Sequence, residues 1–131
     1  MRLINKEEDL FKYLRLNYFP DLVKARKRMS KWDCYSIDNK YRIELKCRTR
    51  HYNTLLLEKI KYDAMIKTCS EHRDTPLYIC STPKNVYCFN LYTIEPSWEI
   101  NYRNPATTYF SNKKKVAKEV AYLDVIDATV L

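Results

Sequence analysis

The segment WDCYSIDNKYRIELKCR, residues 32–48, places a charged side chain at every second position of its second half. These residues are Arg42, Glu44, Lys46 and Arg48. Carboxylate oxygens are the ligands that Mg²⁺ and Mn²⁺ prefer, and a lysine beside them can orient water or stabilise developing negative charge. The alternation therefore has two interpretations: a solvent-facing strand surface, or a metal-dependent site that cleaves phosphodiester bonds.

The same segment predicts a β-hairpin whose turn brings a second carboxylate beside the first. The residues on either side of Asp38–Asn39 have strand-like composition, and this dipeptide is an acceptable two-residue turn. With that turn Asp33 pairs with Glu44, and directly opposed residues of antiparallel strands share a face. Asp33, Glu44 and Lys46 are therefore expected within a few ångströms of one another, and the alternate residues are expected to face the core.

Helices and further strands are predicted around this hairpin. An apolar stripe of Leu10, Phe11 and Leu14 indicates a first helix, capped by Asn5 and ending before Pro20. The other predicted elements, in chain order, are strands Trp32–Ile37 and Tyr41–Arg48, a helix over Thr54–Cys69, strands Pro76–Thr82 and Val86–Ile94, a weak strand or loop over Ser97–Tyr102, and a late strand within Lys113–Ile126.

The second helix is predicted to follow the hairpin directly, with Asn53 as its cap. Its inward-facing residues would be Leu56, Leu57, Ile60 and Ala64. The order of helices and strands predicts a single α/β domain over residues 1–131, with a mixed central β-sheet flanked by helices.

The composition is strongly basic, with 24 Lys and Arg against 16 Asp and Glu and a net charge of +8. Such an excess on a small domain favours a polyanionic partner, nucleic acid first and an anionic membrane surface second. Twelve tyrosines suit stacking on bases as well as ordinary strand packing. The chain contains no glycine, which excludes glycine-rich phosphate-binding loops, so phosphate must be bound by side chains or a metal.

A cytoplasmic protein without a membrane partner is expected. The N-terminus has no apolar signal-peptide segment, and no apolar run approaches the roughly 20 residues of a membrane span. The five cysteines are an odd number, typical of a reduced intracellular protein. Richness in Lys, Asn, Tyr and Ile suggests an AT-rich genome, which is typical of a virus such as a phage. A protein encoded by a virus would be located in the host cell.

The hairpin and its flanking helices resemble the PD-(D/E)XK nuclease superfamily over residues 1–92. The family core is restriction-endonuclease-like, with the order αβββαβ. Its Asp falls on Asp33, its Glu on Glu44 and its Lys on Lys46, while Trp32 stands where the family usually has Pro. The resemblance implies a Mg²⁺-dependent or Mn²⁺-dependent endonuclease in which these three residues are catalytic.

Small resolvase-like members of that superfamily also carry a Glu on the first helix. Glu7 is the expected counterpart, because it shares the apolar stripe of that helix and so points toward the sheet. The implied metal ligands are Glu7, Asp33, Glu44 and the backbone carbonyl of Leu45. Secondary candidates on the second helix are Glu58, Lys61 and Tyr62. For these three the competing interpretation is a solvated helix face with a Glu58–Lys61 ion pair.

The expected partner is nucleic acid, DNA in preference to RNA, recognised by structure or without specificity and bound by a homodimer or a monomer. Phosphate contacts are expected from basic residues, with surface solubility as the competing role. They are Lys24, Arg26, Lys27, Arg28, Arg48, Arg50, Lys113, Lys114 and Lys115. The alternative function is a non-catalytic, basic nucleic-acid-binding protein in which the acidic residues form ion pairs on the strand surface.

Overall fold

The computed structural model describes residues 4–26, 32–105 and 115–131. Within these ranges the helices are α1 (Glu7–Asn17) and α2 (Lys59–His72), and a 3₁₀ turn covers Val125–Asp127. The strands there are β1 (Val23–Lys24), β2 (Cys34–Ser36), β3 (Tyr41–Cys47), β4 (Thr54–Glu58), β5 (Thr75–Ser81), β6 (Val86–Asn90), β7 (Glu99–Pro105), β8 (Lys115–Asp124) and β9 (Thr129–Val130). Neither described helix has the length and apolarity needed to cross a membrane.

The central sheet is mixed, which confirms the predicted α/β class. Its strand order is β1-β2-β3-β5-β6-β9, with β3 and β5 parallel and the other neighbours antiparallel. Two adjacent parallel strands need a crossover connection, and β4 and α2 supply it here. A second, antiparallel sheet has the order β4-β8-β7.

Both faces of the central sheet are buried. On one face, α1 packs Leu10, Phe11 and Leu14 against strand residues such as Ile43 and Ile79. This confirms the predicted stripe, and α1 ends at Asn17, before Pro20 as expected. The other face packs against α2 and the second sheet; the buried residues there include Leu55, Leu57, Met65, Tyr78, Phe89, Ala121 and Leu123. Strand β3 therefore lies between two apolar layers.

The hairpin of β2 and β3 has the predicted register from the turn as far as Cys34 and Ile43, and the predicted pair of Asp33 with Glu44 lies beyond these paired residues. Tyr35 pairs with Arg42, and the Lys40 N–H donates to the Ile37 carbonyl at 3.2 Å across the Asp38–Asn39 turn. Lys40 has φ 57°, the left-handed conformation that glycine usually supplies at this point of a hairpin. The Lys40 carbonyl accepts a hydrogen bond from the Thr75 N–H at 2.7 Å, which joins the turn to the start of β5.

The predicted start of the second helix is wrong. Thr54–Glu58 is a strand, and α2 begins at Lys59 without a side-chain cap. Leu55 and Leu57 alternate into the core, whereas Ile60, predicted to face inward, is 75% exposed. A short apolar run fits a strand and a helix equally well by periodicity, and pairing with β8 decides for the strand.

Other boundaries differ less. The residue at the N-cap of α1 is Lys6, and the Asn5 backbone N–H donates to the Asp9 carboxylate, so the Asn5 side chain is not the cap. The late strand is confirmed as β8, and the segment predicted as a weak strand or loop contains the start of β7.

Arg73, which follows α2, has φ 58° and ψ 36°, a conformation that costs a non-glycine residue about 1–2 kcal/mol. Arg73→Gly should therefore raise the free energy of unfolding by about 1 kcal/mol, as measured by denaturant titration. Glu71→Gly, on an exposed position inside the same helix, is the matched control and should lower it by about 1 kcal/mol. Equal effects of the two glycines would contradict the assigned helix end.

Candidate active site

Asp33 and Glu44 meet beside the start of β2, where β3 continues past it. The Asp33 N–H donates to the Ile43 carbonyl at 2.9 Å, and the Asp33 carboxylate accepts a hydrogen bond from the Leu45 N–H at 2.7 Å. The Asp33 side chain thus takes the place of a backbone acceptor opposite β3. Glu44, next to Leu45 on β3, is 7% exposed and interacts directly with Asp33.

The two carboxyls are held in an environment that disfavours their charged forms. Burial, and then the neighbouring Asp33 carboxylate, raise the pKa of Glu44 to about 7. Burial also raises the pKa of Asp33, although the Leu45 N–H and the charge of Lys61 act in the opposite direction. Both carboxyls therefore take up a proton more readily than exposed carboxyls do.

A lysine of α2 provides part of the compensation. Lys61 Nζ lies 2.8 Å from Glu44 Oε1. Burial by itself would lower the pKa of Lys61, but the Glu44 carboxylate and its hydrogen bond raise it overall. The Glu58–Lys61 pair considered from the sequence does not form, because Glu58 binds Lys118 at 2.6 Å. Tyr62, the third secondary candidate, packs against Trp98 with ring centroids 5.2 Å apart.

The first turn of α1 brings a third carboxylate to the rim. Glu7 is exposed there, but partial burial and the negative charge of Asp33 raise its pKa, while Lys46 and Lys61 oppose the shift. Glu8 points elsewhere and forms an ion pair with Lys24. The structure thus brings the charge of Glu7, and not that of Glu8, close to Asp33.

Lys46 is half-buried on the same face of β3 as Glu44. Its charge acts on Glu7 and Asp33, yet no hydrogen bond or salt bridge within the described ranges engages it. An ammonium that is close to carboxylates and bound to none of them remains available to a substrate.

The donor chemistry of the site fits a hard divalent cation. Asp33, Glu44 and Glu7 offer oxygen donors, and burial, the largest cause of their raised pKa values, disfavours the charged forms that such a cation would stabilise. Because a strand residue directs its N–H and C=O to the same side, the Leu45 carbonyl faces the Asp33 edge. In their described positions, the acidic, His and Cys residues nowhere form a group of three close enough to hold a metal ion.

The predicted phosphate-binding residues differ in their surroundings. Arg26 and Arg50 are exposed. Lys24 and Arg48 already have partners in the fold: Lys24 binds Glu8, and Arg48 opposes the burial that raises the pKa of Tyr78 and Cys80. The residues that lie outside the described ranges are Lys27, Arg28, Lys113 and Lys114. The backbone of Lys115 begins β8.

One group beside the site was missed from the sequence. The Arg42 guanidinium lies 4.3 Å from the centre of the Trp32 ring, and its Nε binds Asp74 at 2.6 Å. The Trp32 indole N–H is buried without a partner among the described residues. This contact holds the residue that precedes Asp33. The replacement of the usual proline by Trp32 was the available signal.

Comparison with known proteins supports the fold. No protein-family model matches this chain, and no curated protein matches its sequence. Among solved structures, Hjc, a Holliday junction resolvase from the archaeal hyperthermophile Archaeoglobus fulgidus, superposes with a TM-score of 0.54 at 16% identity. The match covers 70% of this chain and 74% of Hjc. The chain therefore has a resolvase-like, restriction-endonuclease-like fold, as the resemblance implied.

Glu44→Gln should stabilise the metal-free protein at alkaline pH. A carboxyl whose folded-state pKa is raised contributes stability below its unfolded pKa, and that stability is lost as the pH rises through the folded value. Here that window runs from the ordinary Glu value of 4.5 to about 7. In the presence of a chelator, we expect the variant to exceed wild type by on the order of 2 kcal/mol at pH 8, and the difference to vanish near pH 4.

Glu58→Gln is the control for that experiment, because Glu58 is paired with Lys118 outside the carboxyl cluster. It should show no gain at pH 8. Thermal unfolding between pH 4 and pH 8 measures both variants, and a Glu44→Gln protein less stable than wild type at pH 8 would contradict the described environment of Glu44.

Proposed function

We propose that this protein is a divalent-cation-dependent nuclease that cleaves DNA and selects it by structure and not by base sequence. The observation that carries the proposal is the convergence of Asp33 and Glu44 in a fold that Hjc shares, with Lys46, which no other described residue binds, on the same face. Alternating charges on a solvated strand would not need a buried carboxyl, whereas Glu44 is 7% exposed.

The residues of the site would divide the work of phosphodiester hydrolysis. Glu7, Asp33, Glu44 and the Leu45 carbonyl would hold Mg²⁺ or Mn²⁺. When bound, such a cation supplies a hydroxide near neutral pH and neutralises charge on the phosphate. Lys46 would orient the attacking water or stabilise negative charge in the transition state. The Leu45 N–H keeps the Asp33 carboxylate oriented by donating a hydrogen bond to it.

The choice of DNA structure as the recognised feature has two supports. Hjc is a Holliday junction resolvase, and this chain shares its fold. The net charge of +8 and the exposed Arg26 and Arg50 suit contacts to phosphates, which carry no base sequence. Cutting two strands with one site in each chain favours a homodimer.

A second function, nucleic-acid binding without catalysis, is favoured by a different observation. Two of the alternating charges on β3 already have internal partners, Arg42 with Asp74 and Glu44 with Lys61. In that function these pairs would be purely structural, and the protein would bind DNA without cutting it.

Cleavage assays separate the two functions. Purified protein with Mg²⁺ or Mn²⁺ should cut a four-way junction faster than flap, duplex or single-stranded DNA, or RNA, of matched sequence, and cleavage should fall steeply with salt. Asp33→Asn, Glu44→Gln and Lys46→Met should each reduce the single-turnover rate by at least about 100-fold, because each removes a group that acts in the transition state. DNA binding should be retained.

Glu58→Gln, a carboxylate outside the cluster, should cleave like wild type. Binding to all substrates with no cleavage under any divalent cation would favour the non-catalytic function. If the Asp33→Asn variant cleaves DNA at the wild-type rate, the proposed site is not the catalytic site.

The first helix provides an independent test. Glu7→Gln should reduce cleavage by at least about 100-fold with little change in stability, because Glu7 faces the carboxyl cluster. Glu8→Gln is its neighbour and should leave cleavage intact, since Glu8 is paired with Lys24. A silent Glu7→Gln beside an inactive Glu8→Gln would show that the helix presents the other face.

A further inference from the structure

The ammonium group of Lys61 lies beside the Glu44 carboxylate. In the proposed function a divalent cation would bind the same carboxylate. The Lys61–Glu44 distance is 2.8 Å, and the side chain of Glu44 is 9% exposed, whereas that of Lys61 is 47% exposed. One partner is therefore fixed within the site, and the other is a flexible side chain whose stem reaches in from solvent.

The location of Lys61 in α2 is unfavourable for a lysine. The N-terminal end of a helix is partly positive and favours acidic residues, but the first turn of α2 contains none and carries Lys59 and Lys61 instead. Lys59 is paired with Asp63 one turn later, at 2.7 Å. Lys61 is favoured by its ion pair with Glu44 and by the charge of Asp33, so its placement stabilises the carboxyl cluster and not the helix.

We propose that Lys61 is a built-in counter-cation that neutralises Glu44 in the metal-free protein and leaves it when a divalent cation binds. The inference rests on the proposed function, because it concerns the same site. An ammonium and a divalent cation repel each other strongly at the distance that a shared carboxylate imposes. The four-carbon stem of lysine allows Lys61 to withdraw to solvent, where its charge is available to a substrate phosphate.

Chemical labelling of the wild-type protein tests the displacement directly. Reductive methylation, followed by mass spectrometry of the digested protein, measures how readily each lysine reacts. Labelling of Lys61 should increase several-fold when Mn²⁺ saturates the protein, because the ion pair with Glu44 then no longer protects the amine. Lys59, two residues earlier and paired with Asp63, is the internal control and should react equally with and without Mn²⁺.

Calorimetric titration with Mn²⁺ in the absence of DNA provides the second readout. Lys61→Met, which keeps the length of the side chain without its charge, should bind Mn²⁺ about tenfold more tightly than wild type, a typical size for coupling between competing ligands. Lys59→Met should bind as wild type does. Unchanged or weaker Mn²⁺ binding by Lys61→Met, or equal labelling of Lys61 with and without Mn²⁺, would overturn the inference.

The outcomes distinguish this inference from the proposed function. If the wild-type protein binds Mn²⁺ and cleaves DNA while Lys61 labelling does not change, the proposed role of Lys61 is wrong and the proposed nuclease function is retained. If the wild-type protein binds no Mn²⁺ and cleaves nothing, both are wrong. The labelling experiment uses only wild-type protein, so its result is independent of whether any variant folds.

Discussion

The hydrogen bond from the Leu45 N–H to the Asp33 carboxylate is the contact on which the candidate site depends. It binds a side chain of one strand to the backbone of the next at 2.7 Å, just where regular pairing of β2 with β3 stops. A backbone donor cannot change rotamer, so Asp33 is held in one orientation. Glu44 is the residue before Leu45, and its carboxyl therefore lies beside that of Asp33.

This arrangement places a cost on the folded state. Burial raises the pKa of Asp33 and of Glu44, so their charged forms are disfavoured. Lys61, which compensates their charge, lies at the N-terminal end of α2, where a positive charge is unfavourable. Functional sites commonly retain groups that lower stability, because the chemistry requires them. The contact between Arg42 and Trp32 and the ion pair between Glu58 and Lys118 stabilise the elements on either side.

The sequence was sufficient to predict those parts of the structure that follow from local pattern. A two-residue turn set the register of β2 and β3 that brings Asp33 near Glu44, and helical spacing set the buried stripe of α1. The partner of Lys61 was not predictable, because Lys61 and Glu44 meet only through the crossover between β3 and β5. Local periodicity also gave no basis for separating β4 from α2: only pairing with β8, distant in sequence, shows that Leu55 and Leu57 belong to a strand.

The pairing of β4 with β8 has a kinetic consequence. All of α2, β5, β6 and β7 lies between the two strands, so closing this loop costs far more chain entropy than forming the β2–β3 hairpin. We therefore expect the hairpin to form early and the β4–α2 segment to be fixed late in folding. Since α2 carries Lys61, Asp33 and Glu44 would be neighbours before their counter-charge arrives. Assembly of the site would then coincide with completion of the fold, so that partly folded chains lack the finished constellation.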